Sequence, residues 1–310
     1  MRALVLKSTG NLYKLCTDKG DILMANLAGK IRLELRKTTS PLVVGDNVEV
    51  EQSNDGALIT KIYPRKNYII RKSLNLSKQT HILAANIDQA YLLVTLVFPR
   101  TSTGFIDRFL VTTEAYQIPA KIIFNKIDLL DASFKKVQQE LVSMYTSLGY
   151  ECIEISALKR EDVDKIKSSL KDKLTLIAGH SGAGKSTLIN NIQANLGLKT
   201  GNLSAMHLKG KHTTTFSELH KLDAGGYIID TPGIKELGLV EMKKEEVGHY
   251  FPEFRKLMNE CKFNNCTHTT EPNCAVIKAL EEGKIDEERY HNYLGILNSD
   301  ETNWTAWENK

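Results

Sequence analysis

Gly179-His180-Ser181-Gly182-Ala183-Gly184-Lys185-Ser186 has the residue types and spacing to hold a nucleoside triphosphate. Its glycines let successive backbone N–H groups turn inward around a phosphate, and a helix opening at Lys185 adds its dipole. Lys185 has the reach for the β- and γ-phosphates. The Ser186 hydroxyl is a ligand for Mg²⁺, with Thr187 next to it in the same turn. A second group, Asn125-Lys126-Ile127-Asp128, chooses the base. The Asp128 carboxylate can accept from the N1–H and N2 amine of guanine together, a donor pair adenine lacks. Asn125 can contact guanine N7 and brace the loop, while the Lys126 stem covers the ring. Ser156-Ala157 can bring the Ala157 backbone N–H to guanine O6.

Asp230-Thr231-Pro232-Gly233 completes the phosphate chemistry. Asp230 can hold Mg²⁺ through water, and the Gly233 N–H can meet the γ-phosphate. The run Gly210-Lys211-His212-Thr213-Thr214-Thr215 offers a threonine hydroxyl to the same ion. Thr215 is the candidate ligand, although the spacing alone does not choose among the three. Many GTPases position the attacking water with a Gln directly after the DxxG motif. Here that position is Ile234, so intrinsic hydrolysis is expected to be slow. His212 has the chemistry to position water or act as a general base. Contact with RNA, or simple exposure to solvent, are its alternatives.

Cys261, Cys266, His268 and Cys274 follow a C-x4-C-x-H-x5-C spacing. Three thiolates and an imidazole suit tetrahedral Zn²⁺ with no open position, so the site is expected to be structural. It would pin a knuckle at Phe263-Asn264-Asn265 and anchor a helix from about Ala275. Cys16 and Cys152 stand apart in apolar contexts and read as buried thiols.

The elements that must position these groups follow from the hydrophobic pattern. Residues 91–97, 120–124, 174–178 and 227–229 are apolar runs of the kind found in parallel strands buried on both faces. Helical stretches fall around 105–116, 133–148, 161–171 and 185–195, and a strand at 151–155 precedes Ser156. The base-reading and phosphate-binding motifs therefore lie at strand ends, where α/β sheets bind ligands. Residues 1–66 read instead as five or six short strands without a helix, the pattern of a small OB-fold barrel. Within them Lys30 to Arg36 alternates charged and apolar residues and predicts a half-buried strand. Val48-Glu49-Val50-Glu51 repeats the pattern.

The chain has 310 residues, 42% hydrophobic and 25% charged. No apolar run approaches the roughly 20 residues of a membrane span, and the first residues lack a secretory pattern. A cytoplasmic protein, acting as a monomer, is expected. Residues 1–72 carry 13 Lys/Arg against 7 Asp/Glu, and the rest of the chain 28 against 30. All net positive charge thus falls in the first quarter. Arg32, Arg36 and Lys37, then Lys61, Arg65, Lys66, Arg71 and Lys72, make it the candidate RNA-facing module.

Motif order is the most informative feature. The base-reading groups at 125 and 156 precede the phosphate loop at 179, which precedes the threonines and Asp230. In Ras-like GTPases the phosphate loop comes first, so this domain is circularly permuted. The sequence resembles the RsgA (YjeQ) family of small-ribosomal-subunit-dependent GTPases over essentially its whole length. The resemblance includes Val44-Gly45-Asp46-Asn47-Val48, Pro64-Arg65-Lys66-Asn67, Ala84-Ala85-Asn86-Ile87-Asp88, Phe251-Pro252-Glu253-Phe254, the GTPase motifs and the Cys/His cluster. It implies a multidomain α/β protein. An OB-fold barrel at 1–68 would precede a permuted P-loop GTPase domain at 73–240 and a helical zinc-binding domain at 241–310. It also implies binding to the small ribosomal subunit and its rRNA late in assembly, with GTP hydrolysis stimulated by the subunit. Three positions depart from the family pattern. Leu158-Lys159-Arg160 follows Ser156-Ala157 in place of a glycine-containing turn, Ala183 replaces a common valine, and Asn273 stands where glycine is usual. A GTP-gated RNA-binding switch with negligible turnover is the alternative function, and a metabolic P-loop kinase is a third.

Overall fold

The computed structural model describes residues 1–9, 12–34, 42–53, 56–72, 80–196, 217–230 and 243–298. The first unit is a closed barrel of β1 (Arg2–Ser8), β2 (Leu12–Thr17), β3 (Ile22–Leu27), β4 (Asn47–Ser53) and β5 (Gly56–Ile62), with α1 (Gly29–Glu34) between β3 and β4. Strands run in the order β1-β2-β3-β5-β4, and β4 pairs back onto β1 at Ala3↔Val48. The β3–β5 pair is parallel, at Ala25↔Ala57. Inward residues Val5, Leu15, Val48, Val50 and Ile59 fill the interior, while Glu49 lies on the other face of β4.

The strand expected at 30–36 is instead α1, from Gly29 to Glu34. Closure explains the correction. β3 is already paired with β2 and β5, and β4 with β1 and β5, so a strand between them in sequence would find no free neighbour in either to satisfy its backbone groups. The chain must cross the barrel end from β3 to β4, and a helix does so with its hydrogen bonds internal.

A hairpin of β6 (Tyr68–Lys72) and β7 (Thr80–Ala85), which the sequence pattern did not reveal, leads into the second unit. There β8 (Gln89–Val94), α2 (Thr103–Ala115), β9 (Ala120–Phe124), α3 (Ala132–Ser147), β10 (Glu151–Glu154), α4 (Arg160–Ser169), β11 (Leu174–Gly179) and α5 (Lys185–Ile192) alternate as expected. β12 (Glu218–Lys221) and β13 (Tyr227–Asp230) follow. The sheet order is β10-β9-β8-β11-β13-β12, parallel except for β12. β8 and β11 are buried along their length, which is why they read as continuous apolar runs.

The barrel joins this sheet through β1 and β12, at Lys7↔Glu218, where the two side chains form a 2.6 Å ion pair. The junction is also held by three motifs distant in sequence. Arg65 donates two hydrogen bonds to the buried Asp46 carboxylate, at 2.6 and 2.7 Å. Asn67 exchanges side-chain hydrogen bonds with the Ile87 backbone, and Asn86 reaches the Lys66 N–H and the Gly45 carbonyl. A Cβ on Gly45 would lie 2.0 Å from the Ala85 carbonyl oxygen, so only glycine allows this approach. Asp88 then accepts the Leu174 N–H at the start of β11.

The C-terminal unit holds α6 (Lys244–Val247), α7 (Pro252–Arg255), α8 (Ala275–Glu281) and α9 (Glu287–Asn298). It is fastened to α2 by Arg289, which is fully buried and pairs with Asp107 at 2.5 Å and Glu253 at 2.6 Å. Burial raises the Asp107 carboxyl, and Arg289, Asn292 and Tyr145 oppose that shift. Cys16 is buried and accepts the Tyr227 hydroxyl, whereas Cys152 is only half-buried.

Candidate nucleotide site and metal cluster

The phosphate loop bridges β11 and α5, as its sequence requires. Gly179, Gly182 and Gly184 all have positive φ, which turns the loop over on itself. Lys185 Nζ donates to the Gly179 and His180 carbonyls at 2.6 and 2.7 Å, holding the ammonium across the loop. The His180 ring stacks on Phe105 of α2, with centroids 4.0 Å apart. Ser181 is exposed, and Ser186 and Thr187 open α5 half-buried.

Asn125 ties this loop to the base-reading loops. Its Nδ2 donates to the Ala183 carbonyl at 2.8 Å, and its Oδ1 accepts the Ala157 N–H at 2.9 Å. One buried side chain therefore bridges the ends of β9, β10 and β11. Gly184 has to be glycine for this bridge, because a Cβ there would sit 2.3 Å from Asn125 Nδ2. Lys126 adopts the left-handed conformation and turns the chain so that Asp128 stands exposed beyond it. Ser156 donates its N–H to Asp162, and Asn191 of α5 holds the Ala157 carbonyl. The bracing expected of Asn125 is present. The Ala157 N–H, expected at a base oxygen, is committed to Asn125. The Asp230 backbone closes β13 at the Glu218↔Asp230 pair, one residue beyond the Leu176↔Ile229 pair with β11, the strand that leads into the phosphate loop.

His212, Thr215 and Gly233 lie outside the described residues, as do Thr213, Thr214 and Ile234. Asp162 and Asn191 belong to none of the sequence motifs. Their signal was an acidic residue in the first turn of α4 and an amide in α5, neither distinctive by itself.

Cys261, Cys266, His268 and Cys274 converge near α8. All four ligand atoms lie within 4.8 Å of one another. His268 Nδ1 is 3.3 Å from Cys274 Sγ and 3.7 Å from Cys261 Sγ, and the latter two sulfurs are 3.9 Å apart. A tetrahedron with metal–sulfur bonds of about 2.3 Å has edges of about 3.8 Å, so the set fits a zinc ion. Burial lowers the His268 pKa and keeps the imidazole neutral, the form that binds metal. Burial also pushes the Cys266 thiol up to about 12, so ligation would displace its proton. Tyr290 and Tyr293 donate to the His268 and Thr267 carbonyls and fix the loop from α9. Asn273 has φ +59, which explains the sequence departure there: glycine suits the left-handed region, and asparagine tolerates it. Cys274 immediately precedes α8, which begins at Ala275 as expected.

The strand order with the phosphate loop on β11 and the Asn-Lys-Ile-Asp loop on β9 is that of a permuted GTPase sheet. The profile of the RsgA GTPase family matches residues 62–240. The chain belongs to the RsgA GTPase family. It is 52% identical over 302 residues to the small ribosomal subunit biogenesis GTPase RsgA of Bacteroides fragilis strain YCH46, covering 97% of each chain. It is 48% identical over 308 residues to the protein of that name from Flavobacterium johnsoniae, covering 98% of this chain and 95% of the relative. Among solved structures it resembles YjeQ from Thermotoga maritima, with a TM-score of 0.80 and 34% identity over 96% of each chain. It also resembles YloQ, described as a circularly permuted GTPase, with a TM-score of 0.75 and 28% identity over 96% of this chain and 93% of that one. The three-part RsgA architecture expected from the sequence is the one observed. Among the described residues no helix is long and apolar enough to cross a membrane.

Proposed function

We propose that this chain binds the small ribosomal subunit and its rRNA late in subunit maturation, hydrolysing GTP to GDP and phosphate under stimulation by that subunit. The observation that carries the nucleotide half is the Asn125 bridge, which joins the phosphate loop, the Asn-Lys-Ile-Asp loop and the Ser-Ala loop at the ends of β11, β9 and β10. In this reading Asp128 reads guanine, and Lys126 covers the base. Gly179 to Thr187 cradle the phosphates, and Gly233 meets the γ-phosphate. Lys185 neutralises transition-state charge. Ser186, Asp230 and Thr215 hold Mg²⁺, and His212 positions water. Residues 1–68, 73–240 and 241–310 act as RNA-binding, GTPase and zinc-binding domains of a cytoplasmic monomer. The names of the relatives support the ribosomal half.

The barrel supplies a cationic surface for RNA, though not the one the sequence suggested throughout. Arg65 is occupied by Asp46, and Lys66 pairs with Asp88. Arg36 and Lys37 lie outside the described residues, as do the side chains of Arg32, Arg71 and Lys72. Arg2 and Lys61 are exposed and stand 5.0 and 5.1 Å from the centre of the Tyr63 ring, which combines two charges with an aromatic face. Phosphate release from GTP, measured with and without purified small subunits, tests the proposal. Stimulated turnover is expected. Nucleotide-dependent co-sedimentation without turnover would establish the switch reading instead, and the absence of both would sink the ribosomal role.

A further inference from the structure

Three consecutive residues of α9 face three different parts of the molecule. Glu288 accepts the Thr103 hydroxyl at 2.6 Å, Arg289 pairs with Asp107 at 2.5 Å, and Tyr290 donates to the His268 carbonyl in the Cys/His cluster at 2.7 Å. Asn292, one turn after Glu288, donates to the other Asp107 oxygen at 2.7 Å. Thr103 and Asp107 are also one turn apart, at the start of α2. The C-terminal unit therefore grips one face of that helix over its first turn. Asp107 and Arg289, at the centre of the grip, are both fully buried.

Phe105 sits between Thr103 and Asp107 in sequence. At about 100° of helix per residue it points to the opposite face. Ser102 Oγ caps its N–H, and its ring meets the His180 ring with centroids 4.0 Å apart and planes 31° from parallel. His180 is where the phosphate loop closes on itself. Its carbonyl accepts the Ala183 N–H at 3.2 Å and the Lys185 ammonium at 2.7 Å. The chain leading into α2 approaches the same loop at Gly182, where a Cβ would lie 3.4 Å from Pro99 Cδ. The first turn of α2 is thus held between α9 on one face and the phosphate loop on the other.

We infer that Phe105 is a positioning residue for the phosphate loop, and that through it the C-terminal unit sets how tightly the loop holds phosphate. The inference rests on the nucleotide reading of the loop and adds a control from outside its motifs. A helix turn packed on both sides moves as a body, because close-packed side chains transmit strain. A shift of α9 therefore displaces Phe105, and with it the residue whose carbonyl closes the loop. A ring pair of this kind carries enough energy to change an affinity about three- to tenfold. Choice of the base is untouched, because Asp128 follows a different strand, β9.

Titration calorimetry of the full chain with GDP and, separately, with inorganic pyrophosphate tests the coupling. Phe105→Ala is expected to weaken both ligands by the same factor, about three- to tenfold. Phe105→Tyr keeps the ring and is expected to retain both affinities. Asp107→Asn removes the charge that Arg289 grips. It is expected to weaken both ligands about two- to threefold alone, and to have no further effect when combined with Phe105→Ala. Glu288→Ala, at an exposed contact, takes its place if Asp107→Asn does not fold, with the same pattern expected. Unchanged pyrophosphate affinity in Phe105→Ala, even with lowered thermal stability, would overturn the positioning role, since the ring would then only pack α2. Additive losses in the double variant, or no loss from either α9 contact, would overturn the link to the C-terminal unit. Failure of the unsubstituted protein to bind GDP would instead remove the nucleotide reading beneath it.

Discussion

Asn125 is the residue on which the site's geometry turns. Its amide can donate and accept at once, so one side chain satisfies the Ala183 carbonyl and the Ala157 N–H in a place water does not reach. No charged or aliphatic residue of that size does both. Asn125→Ala would leave two buried backbone groups unpaired, at a cost of about 1–3 kcal/mol each. GDP affinity is expected to fall at least tenfold, with Asp128 and Lys185 untouched, as read by calorimetry; wild-type affinity would show that the bridge is dispensable. The sequence revealed Asn125 because the tetrapeptide is distinctive. It did not reveal that Ala157's N–H is consumed by the bridge, since that depends on which strand ends become neighbours. Asn273 shows the reverse case, where a departure in sequence becomes intelligible only from the backbone angle it has to adopt.

At the scale of elements, α4 shows how a helix start supports a binding loop. Asp162 lies in its first turn and accepts the Ser156 N–H at 2.9 Å. Burial raises its carboxyl, but the Ser156 N–H and Lys165 outweigh that and hold it below the usual carboxylate range. A depressed folded pKa gives stability that is complete above about pH 4 and fades as pH falls through the folded value. Asp162→Asn is therefore expected to cost about 1 kcal/mol at neutral pH in urea unfolding. The gap to the unsubstituted protein is expected to narrow below about pH 4. A gap that stays constant with pH would mean the charge on Asp162 contributes nothing. The parallel strands and their helices were legible because burial on both faces leaves an unbroken apolar run. Residues 30–34 were not, because their alternation fits an amphipathic strand and only barrel closure removes the edge such a strand would need. The β6–β7 hairpin was hidden for a related reason: its polar residues carry no clear period.

Across the whole molecule, the permuted sheet is the centre to which two smaller units are fixed by polar joints. The barrel is held by Asp46–Arg65 and the paired asparagines, and the C-terminal unit by Asp107–Arg289–Glu253. Buried pairs of this kind contribute placement more than net stability, because desolvation offsets most of the attraction. The C-terminal unit is small, and its core meets the Cys/His cluster at Cys266 and Cys274. Chelation of zinc is expected to expose residues 243–298 to protease while 80–196 stay resistant and continue to bind GDP. Equal resistance of both segments after complete metal removal would show that the cluster is not structural. The sequence by itself determined the residue types at the candidate site and the permutation, because residue type, spacing and order are properties of the chain. Tertiary structure alone decided which charges of the basic first quarter stay free and how the motif loops engage one another. Those outcomes depend on which strand ends and junction residues meet in space, and the residues that meet are up to 211 positions apart along the chain.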